Sequence, residues 1–168
     1  MTQLVQVRLP GQMMAVEKLA REIWIEHYVP IVGREQIEYM LARFQSEAAI
    51  RAQISDGVDY SLLSCDDVNV GYMAVAPEPE QDALMISKLY VLARMRGKGF
   101  GRRLLNEAHR ISRSLSRDRM WLTVNKHNAR SIEWYRHMGF RNVKSVVQDI
   151  GGGFVMDDYK MEMGVNSI

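Results

Sequence analysis

The chain is poor in the residues that usually hold a metal ion or a disulfide. Its only cysteine is Cys65, which excludes an internal disulfide and a cysteine-based metal cluster. The four histidines include no HxxxH or HxH pair, the spacings that bring two imidazoles to one metal ion on a helix or a strand. We therefore expect no metal site.

Long apolar runs are also missing. No segment approaches the roughly 20 apolar residues that a membrane-spanning helix needs, and the first ten residues, MTQLVQVRLP, lack the apolar core of a signal peptide. These observations predict a cytoplasmic protein with no membrane contact.

A large excess of charge of either sign is absent as well. The 22 Lys and Arg residues against 20 Asp and Glu give a net charge of +2, which argues against nucleic acid as the partner. Charge is nevertheless uneven, since the segment 94–119 holds nine basic residues and two acidic ones, Glu107 and Asp118. A local basic patch of this size favours a small anionic ligand.

The hydrophobic patterns predict an α/β fold. Alternating and helical spacings follow the order β-α-α-(α)-β-β-β-α-β-α-β-β, which indicates one mixed sheet of about seven strands with helices on both faces. The stretch from Leu84 to Val124 predicts a right-handed parallel crossover. The first helix should end at Pro30. At this length we expect one domain, residues 1–168.

A glycine-rich basic loop, RMRGKGFGRRLL, lies between a predicted strand and a predicted helix, at residues 94–105. Glycine lets a ligand approach the backbone, and the free N–H groups of a following helix attract anions. The pattern Arg/Gln-x-x-Gly-x-Gly fits twice, from Arg94 or from Arg96. Helical periodicity begins at Leu104, which places the free amides at Gly99 to Arg102 and favours the register from Arg96. Neither a Walker A loop nor a GxGxxG motif fits.

With this loop, LYVLARMRGKGFGRRLL resembles the strand and pyrophosphate loop of the GNAT superfamily of N-acetyltransferases. A second segment, LTVNKHNARSIEWYRHMGF, is similar to that family's N-x-x-A-x-x-x-Y-x-x-x-G-F segment. The two motifs stand in the family's order and at its usual separation. A finer likeness to the small-amine and polyamine acetyltransferase subgroup rests on the chain's N-terminal and late segments.

The resemblance implies acetyl-coenzyme A as cosubstrate and assigns its contacts. The backbone of Leu89, Tyr90 and Val91 should pair with the pantetheine arm, and Asn128 should hydrogen-bond the pantetheine region or cap a helix. The pyrophosphate should be held by the loop from Arg96 to Arg102, namely Arg96, Gly97, Lys98, Gly99, Phe100, Gly101 and Arg102.

The resemblance also implies that Tyr135 is the general acid, which donates a hydrogen bond or proton to the departing thiolate. Many relatives carry a glutamate base in the central strands, but LMISKLYV and LTVN contain no carboxylate. Glu26, as a base or a substrate contact, is the leading alternative. His27, Asp157 and Asp158 are further candidates, and a dedicated base could also be unnecessary. His137 should face solvent.

We therefore expect an enzyme that acetylates the primary amine of a small molecule by direct attack in a ternary complex. Because many relatives dimerise, the resemblance also implies a homodimer. Two alternatives stay open. One is acetylation of a protein N-terminus or lysine, and the other is a non-catalytic coenzyme A-binding sensor.

Overall fold

A computed structural model describes residues 1–165. Seven strands form one mixed sheet in the order β1-β2-β3-β4-β5-β7-β6. The strands are β1 (Thr2–Gln6), β2 (Asp59–Cys65), β3 (Val68–Glu78), β4 (Ala83–Val91), β5 (Arg119–Asn125), β6 (Arg141–Gly151) and β7 (Phe154–Gly164). The helices are α1 (Pro10–Val32), α2 (Arg34–Phe44), α3 (Glu47–Ser55), α4 (Phe100–Ser114) and α5 (Ala129–His137). The predicted α/β class and the predicted element order are both confirmed.

The chain divides into two compact units. The first unit contains Met1–Ala76 and Lys88–Ala108, and the second contains Pro77–Ser87 together with the chain from His109 onward. In the first unit β1, β2 and β3 are antiparallel neighbours, and the apolar sides of α1, α2 and α3 are buried. In the second unit β5 pairs with β7 and β7 with β6, both antiparallel.

The parallel crossover is present. Ala83, Leu84 and Met85 of β4 pair in parallel with Arg119, Met120 and Trp121 of β5. Apolar side chains along this pairing are fully buried, with Leu84 and Met120 both at 0% exposure. Burial on both strands explains why they form near-continuous apolar runs in the sequence.

The predicted end of the first helix is wrong. Pro30 lies inside α1, which continues to Val32 before Gly33, whose N–H bonds the carbonyl of Val29 at 2.9 Å. Proline lacks an N–H, so the carbonyl of Glu26, four residues earlier, loses its usual helical donor. A proline in the final turn removes only that bond, and the buried stripe of α1 holds the helix together beyond it.

No helix within residues 1–165 combines the length and the apolar character needed to cross a membrane. The same residues contain no group of three or more His, Cys, Asp or Glu side chains that could hold a metal ion.

Candidate active site

The glycine loop leads directly into the N-terminus of α4. The helix begins at Phe100, and its first backbone bond runs from the N–H of Arg103 to the carbonyl of Gly99 at 3.0 Å. The N–H groups of Phe100, Gly101 and Arg102 precede that bond and therefore have no intrahelical acceptor. These three amides belong to the set, Gly99 to Arg102, that the register from Arg96 predicts to be free.

Two glycines of the loop adopt a left-handed backbone. Gly97 has φ 77° and Gly99 has φ 83°, a region that side-chain-bearing residues rarely occupy. A Cβ added at either position would meet nothing within 4 Å, so open space borders the loop. The register from Arg96 places its two required glycines at Gly99 and Gly101. Gly101 instead lies in the first turn of α4, where the backbone is helical. The second left-handed position of the loop is occupied by Gly97.

Of the basic side chains of the loop, Arg94 and Arg96 contact neighbouring elements, whereas Lys98 and Arg102 are exposed. Arg96 is half-buried, and its Nε donates to the carbonyl of Val91 at 3.3 Å, which ties the loop to the end of β4. Arg94 forms an ion pair with Glu22 of α1. Lys98 and Arg102 are exposed on either side of Gly99 and Gly101. Positive charge thus surrounds a helix N-terminus that already attracts anions.

At the end of β4 the Tyr90 side chain is packed among other rings, and the strand backbone is the part that can meet a ligand. The Tyr90 ring packs 5.6 Å from Trp24 and 5.5 Å from Tyr72, and its hydroxyl lies 3.3 Å from that of Tyr28. The parallel pairing of β4 ends at Met85. Leu89, Tyr90 and Val91 come after that last pair, so the backbone edge of this segment can accept a ligand as an added strand.

Lys88 stands immediately before this segment and is not among the residues predicted from the sequence. Burial lowers the pKa of its ammonium group from 10.5 to about 8. A lysine inside the apolar run LMISKLYV was the signal available in the sequence, since lysine is rarely buried without a role. An ammonium group with a lowered pKa thus lies next to the segment Leu89 to Val91, which is predicted to pair with the pantetheine arm.

In the second unit, Asn128 and Tyr135 belong to one short helix. The Asn128 side chain accepts from the N–H of Ser131 at 3.3 Å and so caps α5, as the helix-cap alternative predicts. Tyr135 lies two turns later and is half-buried, with its ring 5.5 Å from that of Phe140 and 5.1 Å from that of Trp134. Packing on both sides fixes the tyrosine ring, which is what a group that must meet a reacting atom requires.

Glu26 is exposed near the end of α1, in the first unit. It borders an open groove of about 650 Å³. The lining residues are Lys18, Arg21, Glu22, Ile25, Glu26 and Arg94. His27 packs its ring 4.7 Å from that of Tyr28 on the same helix, and His137 is exposed at the end of α5 as predicted.

Residues 16–140 match the model of the Acetyltransferase (GNAT) family. The chain belongs to this family. The residues described above lie within or beside the matched range.

A streptothricin acetyltransferase from Streptomyces lavendulae is 31% identical to the chain over 94 residues. The match covers 56% of this chain and 50% of that relative, so the chain matches only about half of the relative's length.

Among solved structures, the PaiA N-acetyltransferase from Thermoplasma acidophilum, in complex with coenzyme A, superimposes with a TM-score of 0.77 at 21% identity. That match covers 96% of this chain and 99% of the other. The ribosomal-protein-S18-alanine N-acetyltransferase from Escherichia coli gives a TM-score of 0.73 at 15% identity, covering 98% and 94%. At these identities the two structures show a shared fold.

Proposed function

We propose that this GNAT enzyme transfers the acetyl group of acetyl-coenzyme A to the primary amine of a small molecule, by direct attack in a ternary complex. The observation that supports a small acceptor is the 31% identity to streptothricin acetyltransferase across 94 residues. Residues 1–168 act as one acetyltransferase domain in this proposal, since the family match runs through segments of both compact units.

The cosubstrate contacts follow from the geometry of the loop. The free amides of Phe100, Gly101 and Arg102 can donate to pyrophosphate oxygens, and the left-handed Gly97 and Gly99 leave room for them. Lys98 and Arg102 add positive charge, and Arg96 holds the loop against Val91. The backbone of Leu89 to Val91 pairs with the amide groups of the pantetheine arm, and Asn128 contacts the same arm.

Tyr135 supplies a hydrogen bond or a proton to the sulfur that leaves when the C–S bond breaks. Reference pKa values of about 10 for a tyrosine and about 8.5 for a thiol make complete proton transfer uphill. A hydrogen bond that strengthens as charge grows on sulfur is sufficient to stabilise the transition state. Glu26 is placed at the acceptor side as a substrate contact in this proposal, because it is exposed beside an open groove.

The test is release of free coenzyme A from acetyl-coenzyme A across a panel of small primary amines, with product mass confirming N-acetylation. Lysine-containing peptides and peptides with free N-termini form a second arm. We expect turnover on at least one small amine, at a kcat/KM well above that for any peptide. Preference for peptides would favour a protein acetyltransferase, and acetyl-coenzyme A binding with no turnover on any amine would favour a sensor.

A further inference from the structure

One buried carboxylate in the second unit has an oxygen with no partner. Asp158 on β7 is 5% exposed, and within residues 1–165 its Oδ1 makes no hydrogen bond. An unsatisfied buried oxygen costs free energy, more so when the group is charged, so such a group calls for a functional explanation. Its neighbour Asp157 contrasts with it, being exposed and paired with Lys126.

The sheet register places Asp158 beside the segment that carries the other candidate residues of this unit. Asp158 pairs with Asn125, the last residue of β5, and its carboxyl group also accepts a hydrogen bond from Thr123. The carbonyl of Asn125 accepts from the N–H of Asn128 at 2.9 Å, and Asn128 caps α5. Tyr135 follows about 10 Å along the helix axis. Asp158 is therefore close to the N-terminus of α5, the helix that carries Tyr135, the proposed general acid.

Within residues 1–165 no cationic side chain forms an ion pair with Asp158, although the charge of nearby Lys126 lowers the pKa of its carboxyl group slightly. On one side are Asp157 and Lys126, which pair with each other. Along the same face of β7, Lys160 lies 4.2 Å from the centre of the Trp121 ring and is paired with Glu162 at 3.3 Å. On β6 the residue opposite Asp158 is Val146, which carries no charge. A cationic group from outside the chain is thus the natural partner of this carboxylate.

We propose that Asp158 contacts the acceptor amine and takes a proton from its ammonium form, acting as the general base of acetyl transfer. This inference rests on the proposed function. Burial raises the pKa of the Asp158 carboxyl from 3.8 to about 6, so it is ionised at neutral pH and yet a stronger base than an ordinary aspartate. Exposed Glu26 is fully accessible to competing water.

Acetyl transfer by this route releases one proton. A primary ammonium group gives one proton to the Asp158 carboxylate, and the neutral nitrogen then attacks the thioester carbonyl carbon. As the N–C bond forms and the C–S bond breaks, the second nitrogen-bound proton is lost and the sulfur is protonated, with Tyr135 at the sulfur. Asp158 finally releases its proton to solvent. The net products are the amide, free coenzyme A and one proton.

The experiment compares Asp158→Asn with Asp157→Asn, using full-length enzyme and the amine that the wild-type enzyme turns over fastest. For Asp158→Asn we expect kcat/KM to fall at least about a hundredfold, in the range of lost acid–base catalysis. The decline of wild-type activity as pH falls through about 6 should disappear from its profile, because the group that protonates there is gone. Acetyl-coenzyme A affinity should stay within twofold. Asp157→Asn should keep the rate and an acidic limb, with the limb moved to lower pH because the Asp157 charge also raises the pKa of Asp158.

Two further readouts separate catalysis from folding and from the proposed function. Asp158→Glu should restore part of the rate and the acidic limb, which a purely structural role would not require. Wild-type rate and an unchanged acidic limb in Asp158→Asn would overturn the role of Asp158. Absence of wild-type turnover on every amine would instead overturn the proposed function, and the base role with it.

Discussion

At the scale of single residues, the Tyr135 hydroxyl should act in the reaction. Its ring is held between Trp134 and Phe140, and those contacts do not need the oxygen. We expect Tyr135→Phe to lower kcat by about ten- to a hundredfold, toward the weaker end of acid–base effects because a hydrogen bond suffices. Steady-state kinetics with saturating acetyl-coenzyme A would measure it.

The matched control for this change is Tyr39→Phe on α2, where the ring faces the Arg43 guanidinium at 5.9 Å. That variant loses the same atom at a position outside the proposed site, so its kcat should match the wild type. Equal kcat in both variants would remove Tyr135 from the mechanism.

A second prediction concerns the effect of Asp158 on the stability of the fold. Its folded pKa of about 6 exceeds the unfolded value of 3.8, so the folded state binds the proton more tightly. The ionised side chain therefore destabilises the fold above pH 6, and this penalty vanishes below about pH 4, where both states are protonated. Asp158→Asn should raise the free energy of unfolding by up to about 3 kcal/mol above pH 6 and by little below pH 4.

Urea unfolding at pH 4 and pH 7.5 would measure this difference. Asp157→Asn is the control, since it removes only an ion pair between Lys126 and an exposed carboxylate and should cost about 1 kcal/mol or less. A less stable Asp158→Asn variant at pH 7.5 would mean that the buried oxygen has a strong partner in solution.

The sequence predicted residues better where the requirement is local. Asn128 as a helix cap and the free amides from Phe100 to Arg102 follow from short-range patterns, and both are present. Tertiary burial is not visible in a local pattern. Asp157 and Asp158 are adjacent and identical in type, and only the register of β7 against β5 and β6 makes one exposed and the other buried.

At the scale of elements, β3 and the end of β4 approach closely at Gly71. A Cβ added there would lie 2.6 Å from the carbonyl oxygen of Tyr90, a backbone atom that cannot rotate away. Gly71→Ala should therefore destabilise the protein by about 1–3 kcal/mol, the usual cost of overpacking. It should also weaken acetyl-coenzyme A binding, because the displaced backbone belongs to the proposed pantetheine strand.

Gly11→Ala is the matched control for Gly71→Ala. Gly11 lies in the first turn of α1, where an added Cβ meets nothing within 4 Å. Alanine there should stabilise the fold by about 0.5–1 kcal/mol through helix propensity. Denaturant midpoints of both variants would show shifts of opposite sign; a neutral Gly71→Ala would mean that β3 and β4 separate easily.

Two helix ends show which sequence signals predict a boundary reliably. Ser46 caps α3, since its side chain accepts from the N–H of Ala49 at 3.2 Å, and serine before a helix is a typical cap. Pro30 was predicted to end α1 and does not. A cap is a local hydrogen bond, whereas the cost of a late proline is set against the packing of an entire helix face, which the sequence alone does not display.

At the scale of the whole molecule, the order of elements was predictable because alternating and helical spacings of apolar residues mark each strand and helix along the chain. The division into two compact units was not predicted. It cuts through the continuous elements β4 and α4, after Ser87 and after Ala108, and neither cut carries a composition change or a linker signal.

Ligand binding should stabilise the folded chain as a whole, since a ligand that binds only the native state lowers its free energy. At a concentration of acetyl-coenzyme A about 100 times its Kd, the gain is about 2.7 kcal/mol. For a chain of 168 residues this corresponds to a rise in Tm of about 5–10 °C. Thermal unfolding with and without acetyl-coenzyme A would measure the rise.

Two loop variants make this measurement specific to the register from Arg96. Gly99→Asp places a carboxylate and a strained φ of 83° at the proposed phosphate cradle, so its Tm should not respond to acetyl-coenzyme A. Arg94→Ala removes a side chain that is paired with Glu22, so most of the rise in Tm should remain. The reverse result would favour the register that starts at Arg94, because in that register Arg94 is the first residue of the phosphate-binding motif.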